Sequence, residues 1–171
     1  MWIWLLISAA AVLLDQATKL LTVHFLEVGE SADLIGGVFR FTYVQNRGAA
    51  FGMLSNNRWI FMIISVIANG GMLFYLWKYR PKSVWACVAL SLIIGGGVGN
   101  MIDRVRLGYV IDMLDFYAFD FWMWVFNVAD ACVCVGAGIL FVWCICSLIA
   151  ETKAEKAKKA ESAEESEDGN V

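Results

Sequence analysis

The sequence predicts a mostly α-helical membrane protein, with four transmembrane helices and a small extracytoplasmic β-sheet in the first outer loop. Three observations carry this expectation. Hydrophobic residues make up 60% of the 171 positions and charged residues 17%, against about 45–50% and about 25% in a soluble globular chain. Four apolar stretches each approach or exceed the roughly 20 residues with which a helix crosses about 30 Å of hydrocarbon. A short segment over 38–44 alternates apolar and polar side chains with the period of a half-buried strand.

The first span is predicted over Trp2–Leu21. It lacks a basic leading region and runs on through Asp15-Gln16-Ala17-Thr18-Lys19 without a small-residue cleavage site, so it reads as a retained helix rather than a removed signal peptide. The outer connection over 23–58 is too long for a turn. Within it Phe39, Phe41 and Tyr43 point one way and Arg40 and Thr42 the other, bounded by Gly36-Gly37 and Asn46. The second span is expected over Trp59–Trp77, the third over Val84–Ile102 and the fourth over Trp122–Ile149, with tryptophans at most ends, where an indole sits best between headgroup and tail. Residues 1–150 form the membrane domain, and 151–171 a charged tail rich in Lys, Glu and Ala, expected to extend the last helix briefly and then to lose order.

The net charge of -3 lies wholly in that tail, since residues 1–150 carry nine basic and nine acidic groups. With no basic face, the composition excludes a nucleic-acid binder. The link between spans two and three holds Lys78, Arg80 and Lys82 and no acid, and the tail begins with Lys153, Lys156, Lys158 and Lys159. Both are therefore expected on the cytoplasmic side, with both termini inside and the long connections outside. The five cysteines, Cys87, Cys132, Cys134, Cys144 and Cys146, fall in apolar runs and read as buried thiols, not as a disulfide framework. The lone His24 has no nearby co-ligand, so no metal site is expected.

Ionisable groups in apolar spans cost about 2.5–3.5 kcal/mol each at the bilayer centre, so each calls for a reason. Asp15 and Lys19 stand four apart on one helix face and can neutralise each other. Asn100, Asp103 and Arg104 end the third span, Asn127 and Asp130 begin the fourth, and Asp112 and Asp115 lie between. In the expected topology nearly all of them converge on the outer leaflet. Asp15 with Lys19, and Asp103 with Arg104 or Arg106, read equally well as structural ion pairs, and Asp115 and Asp120 as solvated loop acids. The Gly95–Gly99 run lacks the Lys-Ser/Thr of a phosphate loop and reads as small residues for close helix contact. Asp130 has no cation within a helical turn and so needs a proton, a water or a partner.

Two carboxylates sharing a site cannot both ionise cheaply. Such a pair supplies a general base and a general acid for water attack on an amide; the same acids would equally serve as a relay in a small proton- or ion-coupled transporter. The residues alone leave Asp130's partner open among Asp103, Asp112 and Asp115.

Five blocks in order then resemble the bacterial signal peptidase II family of aspartic membrane peptidases: Asp15–Lys19, Asn46-Arg47-Gly48-Ala49-Ala50-Phe51-Gly52, Gly95–Arg104, Gly108–Asp112 and Phe126–Asp130. The resemblance covers residues 8–145. It implies an endopeptidase of the bacterial cytoplasmic membrane that removes signal peptides from prolipoproteins, cutting on the N-terminal side of a diacylglyceryl-cysteine. The implied partners are those precursors and membrane lipids, and no cofactor is called for. It puts the catalytic aspartates at Asp112 and Asp130, and substrate-binding or supporting positions at Asp15, Lys19, Asn46, Asn100, Asp103, Arg104 and Asn127. Met113 departs from the family, where an aromatic is common.

Overall fold

The computed structural model describes residues 2–48, 58–118 and 124–168. Among the described residues four helices, α1 (Trp2–Phe25), α2 (Arg58–Tyr79), α3 (Val84–Arg106) and α4 (Val128–Asp168), accompany four strands, β1 (Ser31–Ile35), β2 (Phe39–Asn46), β3 (Val110–Phe116) and β4 (Val125–Phe126). Among the described residues three helices are long and apolar enough to cross a membrane: α1, α3 and the Val128–Lys156 part of α4. The 22 residues of α2 reach about 33 Å at 1.5 Å per residue.

The distribution of side chains is that of a protein whose solvent is hydrocarbon. Leu6, Leu13, Ile64, Ile67, Phe141 and Leu148 are exposed, while Asp15, Lys19, Ser91, Asp103 and Asn127 are buried. Polar groups taken out of lipid must satisfy one another, and Lys19 of α1 does so with Asp103 of α3 at 2.8 Å. Three of the cysteines, Cys134, Cys144 and Cys146, lie on the exposed face and only Cys87 is fully buried, so the expectation of uniformly buried thiols is corrected. In hydrocarbon a thiol has no reason to hide.

The central helix is α3, packed against α4, α1 and α2. Its glycines allow this. A Cβ on Gly95 would come within 2.7 Å of Ala11 Cβ, one on Gly97 within 2.6 Å of Asn69 Nδ2, and one on Gly99 within 2.6 Å of Asp15 Oδ2. With Gly96, where a Cβ would run into the Ala129 carbonyl of α4, the run from 95 to 99 therefore serves contacts with all three of the other helices. Ser83 caps the start of α3 by accepting from the Ala86 amide at 3.3 Å.

The sheet is antiparallel in the order β1-β2-β3-β4. It draws strands from both long connections, which corrects the expectation of a sheet confined to the first. Three of these strands, β1, β3 and β4, were not expected; the central one, β3, is buried along both faces, so it shows no two-residue alternation to read. β2 behaves as expected but runs on to Asn46. Tyr43 packs with Ile111 and Met113 beside Leu26 and Phe41. On the other face Thr42 donates to Asp115 at 2.8 Å and Arg40 pairs with it at 2.7 Å. Asp115 is thus buried and paired, not the solvated acid expected; Asp120 lies outside the described residues. A bulge between Phe41 and Val44 shifts the register so that Val44 faces Asp112 and Asn46 faces Val110. Trp122, expected to open the fourth span, is also outside the described residues; α4 itself begins at Val128, after β4 and the capping residue Asn127.

Candidate active site

Two carboxylates meet where the sheet abuts the helix ends. Asp112 stands on central strand β3, Asp130 in the first turn of α4. Three asparagine amides hold them. The Asn46 Nδ2 donates to Asp112 Oδ2 at 2.9 Å, and Asn127 Nδ2 to Asp112 Oδ1 at 2.6 Å. The Asn100 Nδ2 donates to Asp130 Oδ1 at 2.8 Å. An amide can turn over unless its oxygen is committed. Each of these oxygens is committed to a group that only donates. Asn46 Oδ1 accepts from the Gly48 amide at 3.0 Å, Asn127 Oδ1 from the Asp130 amide at 2.8 Å and Asn100 Oδ1 from Lys19 Nζ at 3.0 Å. All three therefore present their NH2 groups to carboxylates.

Asn127 and Asp130 also form a reciprocal cap: the Asn127 side chain accepts from the Asp130 amide, and Asp130 Oδ2 accepts from the Asn127 amide at 3.3 Å. Asp15 Oδ1 accepts from the Ala129 amide at 2.9 Å. Three of the four amides that a helix start leaves without an intrahelical partner are satisfied, which fixes the position of Asp130.

Behind the aspartates lies a buried ionic cluster. The Lys19 ammonium has three donors, and all are used: Asp15 at 2.9 Å, Asp103 at 2.8 Å and Asn100 at 3.0 Å. Lys19 is 1% exposed, Asp15 0% and Asp103 2%. The expected Asp15–Lys19 pair is present; Asp103, expected to pair with Arg104 or Arg106, takes Lys19 instead, because it projects toward α1. Asp103 Oδ2 also accepts from the Ile111 amide at 3.1 Å, anchoring β3 one residue before Asp112. Arg104 donates back to the Asn100 carbonyl at 3.3 Å and lies in the field of Asp130, Asp112 and Asp103. Asp130, without a cation nearby in sequence, thus has one in space.

Of the three candidates for Asp130's partner, Asp103 is held by Lys19 and Asp115 by Arg40, leaving Asp112 joined to Asp130 through Asn127. Burial pushes the Asp112 carboxyl up to about 7; the Asn46 bond opposes this and the charge of Asp130 adds to it. A carboxyl at that value can hold a proton near neutrality beside a second that accepts one. Gln16 was not singled out from the sequence, yet its Nε2 bonds Asp103 at 3.0 Å and Asp15 at 3.2 Å. Its position between Asp15 and Lys19 in an apolar span was the available signal. The residues 49–52 of the outer-loop block lie outside the described residues.

This arrangement has relatives. Residues 7–146 match the family model described as signal peptidase (SPase) II. The chain is 44% identical over 138 residues to a lipoprotein signal peptidase of Symbiobacterium thermophilum, covering 81% of this chain and 91% of that one. It is 46% identical over 134 residues to that of Halothermothrix orenii, covering 77% and 89%. A solved bacterial membrane enzyme superposes with a TM-score of 0.80 at 30% identity, covering 89% of this chain and 90% of the other. A multi-pass helical membrane protein whose two acids are both held by Asn127, matched over most of its length, the chain belongs to the signal peptidase II family of aspartic peptidases.

Proposed function

We propose that Asp112 and Asp130 are the catalytic aspartates of an enzyme that removes signal peptides from diacylglyceryl-modified prolipoproteins, cutting on the N-terminal side of the lipidated cysteine. The observation that carries the reading is the bridge Asp112–Asn127–Asp130, with bonds of 2.6 Å and 3.3 Å to the two carboxylates. In it Asp112 holds the proton. Asp130 takes a proton from a water that attacks the scissile carbonyl, while Asp112 protonates the carbonyl oxygen. Collapse of the tetrahedral intermediate breaks the C–N bond: the proton held on Asp130 goes to the leaving amine of the cysteine, and a hydroxyl proton of the intermediate returns to Asp112 as the new carboxyl forms. Asn46, Asn100 and Asn127 orient the acids, and Asp15, Lys19, Asp103 and Arg104 hold those amides and the ends of β3 and α4.

All four helices span the bilayer in this reading, with both termini cytoplasmic. It places the aspartates at the outer leaflet, so that a signal peptide inserted as a helix meets them at its cleavage site while the acyl chains stay among membrane lipids. The basic link Lys78–Lys82 supports that orientation. The test is the purified chain in lipid vesicles with a diacylglyceryl-modified precursor. Release of the signal peptide, leaving a new amino terminus at the lipidated cysteine, is the expected result; equal cleavage of a precursor whose cysteine is replaced by serine would contradict the lipid requirement.

A further inference from the structure

At the end of the helices away from the sheet, α2 turns into α3 through a corner unlike the rest of the molecule. Lys78, Arg80 and Lys82 crowd there, and no Asp or Glu occurs between Asp33 and Asp103. Arg80 lines two cavities. One of about 310 Å³ is bounded by Trp2, Trp4, Leu76, Arg80, Pro81 and Cys87. The other, about 440 Å³, is bounded by Phe74, Trp77, Lys78 and Arg80.

The polar side chains in these walls are donors: indole N–H groups, an ammonium and a guanidinium. The Cys87 thiol already donates to the Pro81 carbonyl at 3.4 Å. Neither Lys78 nor Arg80 belongs to an ion pair among the described residues, where the pairs are Lys19 with Asp15 and Asp103, and Arg40 with Asp115. Lys78 Nζ lies 5.4 Å from the centre of the Phe74 ring. The backbone supplies a further observation. Arg80 has φ 44°, the one left-handed non-glycine residue among those described. It follows the last residue of α2, a position where glycine is the least strained choice. The turn has no need of a guanidinium.

We propose that this corner binds the headgroup of an anionic phospholipid, with the phosphate on Arg80 and Lys78 and the acyl chains beside Phe74, Trp77 and the exposed face of α2. The lining matches that chemistry: cations and N–H donors beside apolar Leu76, Pro81 and Phe74, with tryptophans of the kind that sit where headgroup meets tail. The site is independent of the catalytic reading.

The experiment measures melting temperature and lipid retention of the purified full chain in detergent. The probes are dioleoyl-phosphatidylglycerol, dioleoyl-phosphatidylcholine and inorganic phosphate, added to the wild type and to Arg80→Gly. Phosphatidylglycerol should raise the melting temperature and remain bound in native mass spectrometry, and the other two should not. Arg80→Gly relaxes the left-handed backbone, so without lipid it should melt at or above the wild type. Loss of a charge-assisted bond should weaken its phosphatidylglycerol affinity by about tenfold or more. Arg80→Gln, which keeps a side chain at the corner, should lose the response as well. Equal responses to the two lipids, a full response in either variant, or a shift with inorganic phosphate alone would overturn the proposal.

Discussion

The Nδ2 of Asn127 lies 2.6 Å from Asp112 Oδ1, while the same side chain's Oδ1 accepts from the Asp130 amide at 2.8 Å. One amide thus caps α4 and aims a donor at the acid on β3. The two roles can be separated. Asn127→Ala should lose both, reducing kcat by at least tenfold, as expected for a buried bond to a charged group, and lowering stability by about 1 kcal/mol for the missing cap. Asn127→Ser keeps a capping oxygen and should recover the stability but not the rate. Turnover of a lipidated precursor beside thermal unfolding distinguishes them.

The Asp112 carboxyl, raised by burial from the usual 3.8 to about 7, gives a signed pH dependence. Between those values the folded protein holds a proton that the unfolded chain has released. Stability from this group therefore falls as pH rises through that window and is level above it. Asp112→Asn should flatten that part of the melting-temperature profile. If Asp112 is the acid, wild-type activity should fall as pH rises through about 7.

Lys19 neutralises two buried acids and fixes the orientation of Asn100. Lys19→Met should cost about 3–5 kcal/mol, because it leaves buried carboxylates without their cation. The double variant Lys19→Met with Asp15→Asn should recover part of that loss. Thermal unfolding across the double-mutant cycle measures the coupling.

Gly99 is where α3 comes up against Asp15. A Cβ there would stand 2.6 Å from Asp15 Oδ2 and 3.3 Å from Ala129 Cβ. Gly99→Ala should therefore push Asp15 off the Ala129 amide, destabilise by about 1–3 kcal/mol and reduce turnover. Gly138→Ala, where nothing lies within 4 Å of the added carbon, should leave turnover unchanged and should not destabilise, since alanine favours a helix interior over glycine.

Much of this architecture is legible in the sequence, for identifiable reasons. Apolar runs locate the helices because lipid tolerates little else. Asp15 with Lys19, and Asn127 with Asp130, are visible because partners three or four apart share a helix face. The pairings across long separations are not legible. Lys19 reaches Asp103, and Asp115 reaches Arg40, only after α3 and the sheet have folded. β3 is hidden because a strand buried on both faces carries no alternation. At the sequence level only the family resemblance singles out Asp112 beside Asp130; in the structure Asn127 bonds to both.

The most direct test is single-turnover cleavage of a diacylglyceryl-modified precursor by Asp112→Asn and Asp130→Asn, with correct membrane insertion checked in the same vesicles. Both variants should insert normally and release no signal peptide. Wild-type cleavage by either one would contradict the assignment of Asp112 and Asp130 as the catalytic pair.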